Sequence, residues 1–287
     1  MYKKKLTSIT EAVKNIKHGS SVFFHGSFDP VSFACILAGS EAEQLNIISY
    51  KYCISADLLC RIGKAVSLLY CSESSGALPF VSADSLKAVR LPDTLLRSML
   101  EAGRSHMPFC AADTIDIPDH SVCDSFITKC SLGTDQIQLA AAIRPNVSII
   151  QVPMADIYGN AFLDPADDLI RYEESHLALC SDSIIICADQ IISGKSSEKE
   201  KRFKIIDGSA VCAVAEVPYG SYPSCGGARY LSDKDFIRQY NQAAASDESF
   251  KIFAESNMTG FASESERIAA VGFQRLMKLT VNRRGEL

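Results

Sequence analysis

Apolar and polar positions along the first third of the chain alternate between two rhythms. Ser8-Ile-Thr-Glu11 forms a capping box, and Ile9, Ala12, Val13 and Ile16 make one face of a short helix that ends at Gly19. Val22–Phe24 follows as a strand, and His25-Gly26-Ser27-Phe28-Asp29-Pro30 turns the chain into a helix beginning near Pro30. The runs 46–53 and 65–71 read as two further strands, with a short helix over 56–63 between them. This βαβ rhythm predicts an α/β protein built on an open, mainly parallel sheet flanked by helices, with ligands gathering at the carboxyl ends of the strands. Pro92-Asp93 opens a helix through Leu100 that Asp93 is able to cap, and 134–142 is read as a helix, although its alanines fit a buried segment equally well. The run 146–153 is strongly β-prone and leads into a turn at Tyr158-Gly159-Asn160. Residues 168–179 are read as helical, 183–188 as a fully buried strand, 195–202 as a charged loop and 209–215 as another buried strand.

The stretch from Glu216 to Tyr240 ends that architecture. Pro218, Gly220, Pro223, Gly226 and Gly227 fall within ten positions, interleaved with Tyr219, Tyr222, Arg229 and Tyr230. Such clusters ordinarily mark a connector across a sheet edge. Beyond it every segment has helical spacing, starting at a cap on Ser232, with patterns over 233–244, 247–256 and 263–277. The chain is therefore read as a single domain, 1–287, in which about 231–287 forms a helical C-terminal extension packed on the sheet.

Composition narrows the function classes. A chain of 287 residues that is 47% hydrophobic can bury one large core, and its net charge of -5 carries no basic block, which argues against nucleic acid. The lysines near the N-terminus have no apolar run behind them, and no segment approaches a membrane span, so a cytoplasmic protein without a membrane partner is expected. Eleven cysteines occur singly with no Cys-x-x-Cys, and the five histidines form no His-x-x-x-His pair. Reduced core thiols and no metal site are expected.

Two places carry candidate chemistry. Gly26-Ser27-Phe28 joins a strand to a helix N-terminus, where backbone amides can face an anion. The strand 65–71 runs out into Ser72-Glu73-Ser74-Ser75-Gly76, which puts Glu73 and its hydroxyl neighbours at the carboxyl edge of a parallel sheet. A polar turn with a solvated glutamate is the plainer reading of the second.

Several segments in common order resemble the alpha subunit of the family I CoA-transferases, the glutaconate CoA-transferase type above all, over nearly the whole chain. They are the opening helix, strand and Gly-Ser-Phe turn at 26–28, the strand ending in Ser75-Gly76, Met107-Pro108-Phe109, and Ala155 to Asn160. Val217-Pro-Tyr-Gly-Ser-Tyr-Pro-Ser224 is similar to the family's Pro-Tyr-Gly-Ala-His-Pro-Ser stretch, and Asp-Glu-Ser-Phe250 follows further on. The resemblance implies a partner beta subunit of the same fold that supplies the nucleophilic glutamate. Acyl-CoA and a carboxylic acid acceptor would be the substrates, with coenzyme A passing through as substrate and no cofactor bound permanently. This chain would contribute substrate-binding surface from Gly26, Ser27, Phe28, Ser75, Gly76, Tyr219, Gly220 and Ser221, and no catalytic residue. Departures occur at His25-Gly26-Ser27-Phe28, where the family often has Gly-Gly-Phe, and at Tyr222, where it has histidine; nothing in the sequence names the acyl group. The chain is similar over the same segments to the steroid ring-opening CoA hydrolases, in which an acidic side chain of the alpha-type chain matters, and Asp93 and Glu73 could serve there. Ser72–Gly76 also looks like the beta subunit's Ser-Glu-Asn-Gly motif with one residue inserted, and that extra residue swings Glu73 off the face a nucleophile must occupy. A noncatalytic partner protein that keeps only the fold is the remaining alternative.

Overall fold

The computed structural model describes residues 3–27, 29–71, 86–112, 126–132, 135–164, 175–192 and 203–281. Phe28, Glu73, Ser75 and Gly76, together with the predicted loop 195–202 and most of the predicted helix 168–179, lie outside them; of that helix, a 3-10 turn at His176–Cys180 is described.

The strands are β1 (Leu6–Thr7), β2 (Ser21–Phe24), β3 (Leu45–Ser49), β4 (Ala65–Cys71), β5 (Lys87–Leu91), β6 (Phe109–Ala111), β7 (Ile127–Leu132), β8 (Asp135–Ala141), β9 (Val147–Asp156), β10 (Ala161–Phe162), β11 (Ser183–Ile192), β12 (Lys204–Ile206) and β13 (Val211–Glu216). The helices are α1 (Ile9–Val13), α2 (Val31–Ala38), α3 (Ile54–Arg61), α4 (Asp93–Arg104), α5 (Lys234–Ala243), α6 (Asp247–Ala254), α7 (Glu264–Val271) and α8 (Phe273–Leu279). The main sheet runs β1-β13-β11-β9-β2-β3-β4-β5, all pairs parallel, with β10 and β12 attached antiparallel beside β9. This is the open, mainly parallel sheet that the βαβ rhythm predicts. From β2 the chain steps outward through β3, β4 and β5; from β9 it steps the other way through β11 and β13. The direction reverses between β2 and β9, so the crevice at their carboxyl ends is the topological switch point, the favoured ligand position in open α/β sheets.

Period-two alternation sorts the strand side chains onto two faces. Val22, Phe24, Ile47, Leu68, Ile149, Ile185, Cys187, Ala213 and Ala215 pack with α2, α3 and the C-terminal helices. Their neighbours Phe23, Ile48, Leu69 and Val89 pack with α4, and Ile150, Val152, Ile184, Ile186 and Val214 pack beneath β10.

Three expectations need correcting. Residues 135–141 form β8, the centre of an antiparallel ladder with β6 and β7, and not a helix. Alanine propensity is a weak prior, and pairing on both edges overrides it. The strand read as ending at Pro153 continues to Asp156, and its ladder with β11 passes from Val152–Ala188 to Met154–Gln190, skipping the proline that lacks an N–H. The pattern over 263–277 is two helices, α7 and α8, broken at Gly272, whose φ of 88° no helix accommodates. Caps differ as well: Asp233, not Ser232, caps α5 by accepting the Phe236 N–H at 3.0 Å, and Asp93 lies in the first turn of α4 without capping it.

The C-terminal helices are tied to the sheet layer by hydrogen bonds that involve charged side chains. Arg61 donates to Asp57 at 2.7 Å on α3, and Tyr240 of α5 donates to the same carboxylate at 2.7 Å. Arg267 of α7, 2% exposed, pairs with Glu264 and donates to Ser32 Oγ at 2.7 Å, at the start of α2. Asp233 accepts from Tyr222 at 2.9 Å and from Arg275 of α8.

Candidate active site at the switch point

Sheet parity places the site. Gln151 on β9 shares the face of Val147 and Ile149, and Asp189 on β11 shares the face of Ile185 and Cys187, so both lie under the loop 217–230 at the carboxyl edge. Gln151 Nε2 donates to Asp189 Oδ1 at 3.1 Å and to the Val217 carbonyl at 3.1 Å. The Gly220 N–H points at Asp189 at 3.4 Å, while the Gly220 carbonyl accepts from Ser32 N–H at 2.9 Å in the first turn of α2. One residue of the loop is therefore bonded to both halves of the sheet layer.

A second carboxylate anchors the loop from the other side. Asp29, 3% exposed, accepts from the Ile54 N–H (2.9 Å), the Ser55 N–H (3.2 Å) and Ser224 Oγ (3.2 Å), and from the Ser55 hydroxyl. It caps α3 and holds the end of the Val217–Ser224 segment at once. Burial pushes its carboxyl up to about 6, and the four donors restrain that rise.

The turn after β2 has the conformation its sequence demands. Gly26 has φ of 91° and lies against Lys51, whose N–H donates to the His25 carbonyl at 3.2 Å. Its close neighbour is thus the end of β3. The Ser27 amide, which the sequence offers to an anion, donates to His25 Nδ1 at 3.3 Å, and the buried His25 ring packs 5.7 Å from Tyr50 between centroids. Of the loop residues singled out, Tyr219 lines a cavity, with φ of 58° and its hydroxyl 2.8 Å from Thr280 Oγ1. Gly220 and Ser221 are buried beneath it, the Ser221 N–H donating to the Tyr230 hydroxyl at 3.1 Å. Asp93 stands away from this cluster, 3.6 Å from Cys71 Sγ at the other end of the sheet.

The cavity, about 410 Å³, is walled by Asp189, Gln190, Tyr219, Arg229, Tyr230 and Thr280. A larger groove of about 1230 Å³ lies on the C-terminal helices and, apart from Cys225, draws only on residues beyond 230, away from the strand ends. Burial pushes Asp189 up to about 7, against the opposing pull of the Arg229 charge and of N–H and O–H donors. A carboxyl poised near neutrality in a crevice can hold or pass a proton. The buried thiols of Cys35 and Cys180 are unsuited to nucleophilic work, being pushed up to about 12. Asp29, Gln151 and Asp189 escape a reading of the sequence alone, and Arg229 is read there only as part of the loop. The available signal for Asp189 is its place one residue past an unbroken apolar strand, at the edge where a parallel sheet does its chemistry.

Comparison with known proteins places this architecture. No protein-family model matches the chain. The cholesterol ring-cleaving hydrolase IpdA subunit of Mycobacterium tuberculosis is 21% identical over 289 residues, 93% of this chain and 97% of that protein. One of the 3-oxoadipate CoA-transferase subunits of Pseudomonas knackmussii is 26% identical over 168 residues, 58% of this chain and 57% of that one. The crystal structure of glutaconate coenzyme A-transferase from Acidaminococcus fermentans superposes with a TM-score of 0.85 over 97% of this chain and 96% of that one, at 17% identity. The chain has the CoA-transferase fold. No helix among the described residues is long and apolar enough to cross a membrane.

Proposed function

We propose that this chain is the alpha subunit of a two-subunit, cytoplasmic CoA-transferase that moves CoA between an acyl-CoA and a carboxylic acid, the nucleophilic glutamate belonging to a beta-type partner of the same fold. The observation that carries this reading is the position of Val217–Ser224. The segment most like the transferase family's own is fastened at the switch point, bonded through Gly220 to both Asp189 and the start of α2. The similarity to a 3-oxoadipate CoA-transferase subunit supports the same activity. In the reaction the resemblance implies, the partner's glutamate attacks the thioester carbonyl, the C–S bond breaks, and CoA leaves as thiolate from a mixed anhydride. The thiolate then attacks the glutamyl carbonyl, releasing the first acid as its carboxylate and leaving a glutamyl-CoA thioester. A second carboxylate repeats the two steps in reverse and leaves with CoA. This chain's share is to hold the substrate against the partner: the turn at Gly26, Ser27 and Phe28, the segment at Ser75 and Gly76, and Tyr219 to Ser221 supply that surface. Residues 1–287 act as one alpha-type domain, with 231–287 as its helical extension.

The test is purification with and without a co-expressed beta-type chain, followed by acyl-CoA assays with and without acetate. The complex is expected to transfer CoA to acetate and the single chain to be inactive; robust transferase turnover by the chain alone would sink the proposal. Borohydride reduction of the trapped thioester is expected to label the partner, and Glu73→Gln is expected to change turnover less than about tenfold, since a lost nucleophile would cost about a thousandfold or more. A hydrolase is the second reading, favoured by the similarity to the ring-cleaving hydrolase subunit over 93% of this chain and by a carboxyl, Asp189, able to take a proton from water near neutrality. Release of free acid without an acceptor would select it.

A further inference from the structure

The C-terminal helices leave a groove open beside α5. Its floor is apolar: Leu231, just before α5, and Phe273, at the start of α8, are 59% and 76% exposed, and half-buried Val271 and Leu279 line it with them. Its rim is basic. Lys234 and Arg238 of α5, with Arg275 and Lys278 of α8, stand against two carboxylates, Asp233 and Asp235. Both carboxylates are already engaged, Asp233 by Arg275 and Asp235 by Arg238, whereas Lys234 and Lys278 have no ion pair among the described residues. In a chain of net charge -5 a positive patch is a local feature, and the rest of the chain is correspondingly more acidic. A single exposed apolar side chain is ordinary; an aromatic ring and a leucine exposed in one groove and rimmed by charge have the make-up of an interaction surface.

The same helical layer carries a surface of the opposite make-up. On α6 and the turn that continues it, Glu248, Ile252 and Glu255 recur at i, i+4 and i+7 and so share one face, and all three are exposed, Ile252 by 62%. Asp247 at the helix start is exposed too, and Lys251 is the only cation of α6. The groove and this acidic stripe flank α5. Phe236 and Tyr240 turn one side of α5 toward α6, where they meet Phe253 and Phe250 at 5.4 Å and 5.2 Å between ring centroids. Lys234 and Arg238, half a turn of the helix away, face α8 across the groove. A two-fold axis passing beside α5 therefore lays the α6 of each copy along the groove of the other, and symmetry makes the two contacts identical. The doubling matters, because a stable interface buries roughly 1,200–2,000 Å² and the outer face of one short helix covers only part of that.

We propose that this face binds a second copy of the chain, Ile252 of each copy seated against Phe273 and Leu231 of the other, with Glu248 and Glu255 set against Lys234 and Lys278. Complementary charge selects the occupant: the groove offers two unpaired lysines around an apolar floor, and α6 offers two glutamates around an exposed isoleucine. The contact is independent of the proposed activity, since the groove lies away from the strand ends.

Sedimentation velocity of the full chain over about 1–100 μM tests the proposal, in reducing buffer because Cys212 is exposed. Wild type is expected to pass from monomer to dimer as concentration rises, and to dimerise at least about tenfold more weakly in about 0.5 M salt. Phe273→Ser is expected to weaken the dimer at least about tenfold. So is Lys234→Glu combined with Lys278→Glu, and, in a separate chain, Glu248→Lys combined with Glu255→Lys. Mixed in equal amounts, the two reversed chains are expected to pair with each other at close to wild-type strength, because each then carries a groove that fits the other's helix. A merely structural role for these residues would give no such rescue. Melting curves show that each variant is folded. A wild-type chain still monomeric at about 100 μM overturns the second copy as the occupant. A dimer that neither reversal weakens, or folded reversed chains that fail to pair when mixed, overturns the assignment of this face.

Discussion

Arg267→Ala is expected to destabilise the protein by about 3–5 kcal/mol, the usual cost of breaking a buried ion pair from one side. Arg267 is 2% exposed, and its partner Glu264, held at 2.9 Å and 3.0 Å by two guanidinium nitrogens, would be left with a half-buried, uncompensated charge. The same guanidinium donates to Ser32, whose backbone N–H holds the Gly220 carbonyl, and lies 6.0 Å from the Tyr222 ring. Removing it therefore loosens the loop as well as the helix. Urea unfolding followed by circular dichroism measures the loss. Replacing both partners, Arg267→Met with Glu264→Gln, is expected to recover most of it, because the desolvation cost disappears along with the attraction. A single variant within about 1 kcal/mol of wild type would show that the pair does not hold the C-terminal helices in place.

Gly26→Val is the second large effect, expected to cost several kcal/mol and, under the proposed function, to abolish turnover of the two-subunit complex. Two penalties add at this position. With φ of 91°, any L side chain is strained by about 1–2 kcal/mol, and a Cβ would come within 2.6 Å of Lys51 Cβ and 2.7 Å of the Lys51 carbonyl oxygen, which belongs to the backbone leaving β3. Gly19→Ala separates the two. Gly19 has φ of 74° but no atom within 4 Å of the added carbon, so its loss should stop at about 1–2 kcal/mol. Equal melting temperatures for Gly26→Ala and Gly19→Ala would remove the contact with Lys51 from the account, and unchanged kinetics in Gly26→Val would remove the turn from the site.

The strands of the main sheet are legible because burial writes itself into sequence as apolar runs: Val22–Phe24, 65–71 and 183–188 need no partner to be recognised. The antiparallel ladder is not. Gln136-Ile-Gln-Leu-Ala-Ala141 carries helix-forming residues in an alternation too short to outvote them, and only pairing with β6 and β7 decides it. Pro153 reads as a strand end because a proline removes one ladder bond, yet the sheet skips that one position, opposite Asp189, and continues. The site divides in the same way. Gly26 and Tyr219 announce themselves through turn chemistry, and both adopt positive φ. Asp29, Gln151 and Asp189 are single polar residues in or beside apolar runs, and their importance comes from neighbours 25 to 195 positions away, distances over which no local pattern reports.

The anchors of the loop's outer wall come late in the chain. Val217–Ser224 is shaped by Asp233 beneath Tyr222, by Arg275 on Asp233, and, through Ser32, by Glu264 and Arg267. Asp233, Glu264, Arg267 and Arg275 all emerge from the ribosome after the loop itself. During synthesis at about 5–20 residues per second, the sheet can assemble while its ligand crevice is still open for several seconds, lacking the struts that close it. A nascent chain stopped after the loop would thus present a formed sheet edge under a loop without its outer struts, which makes the arrival of residues 233–275 the step that fixes Val217–Ser224 over Asp189 and Gln151.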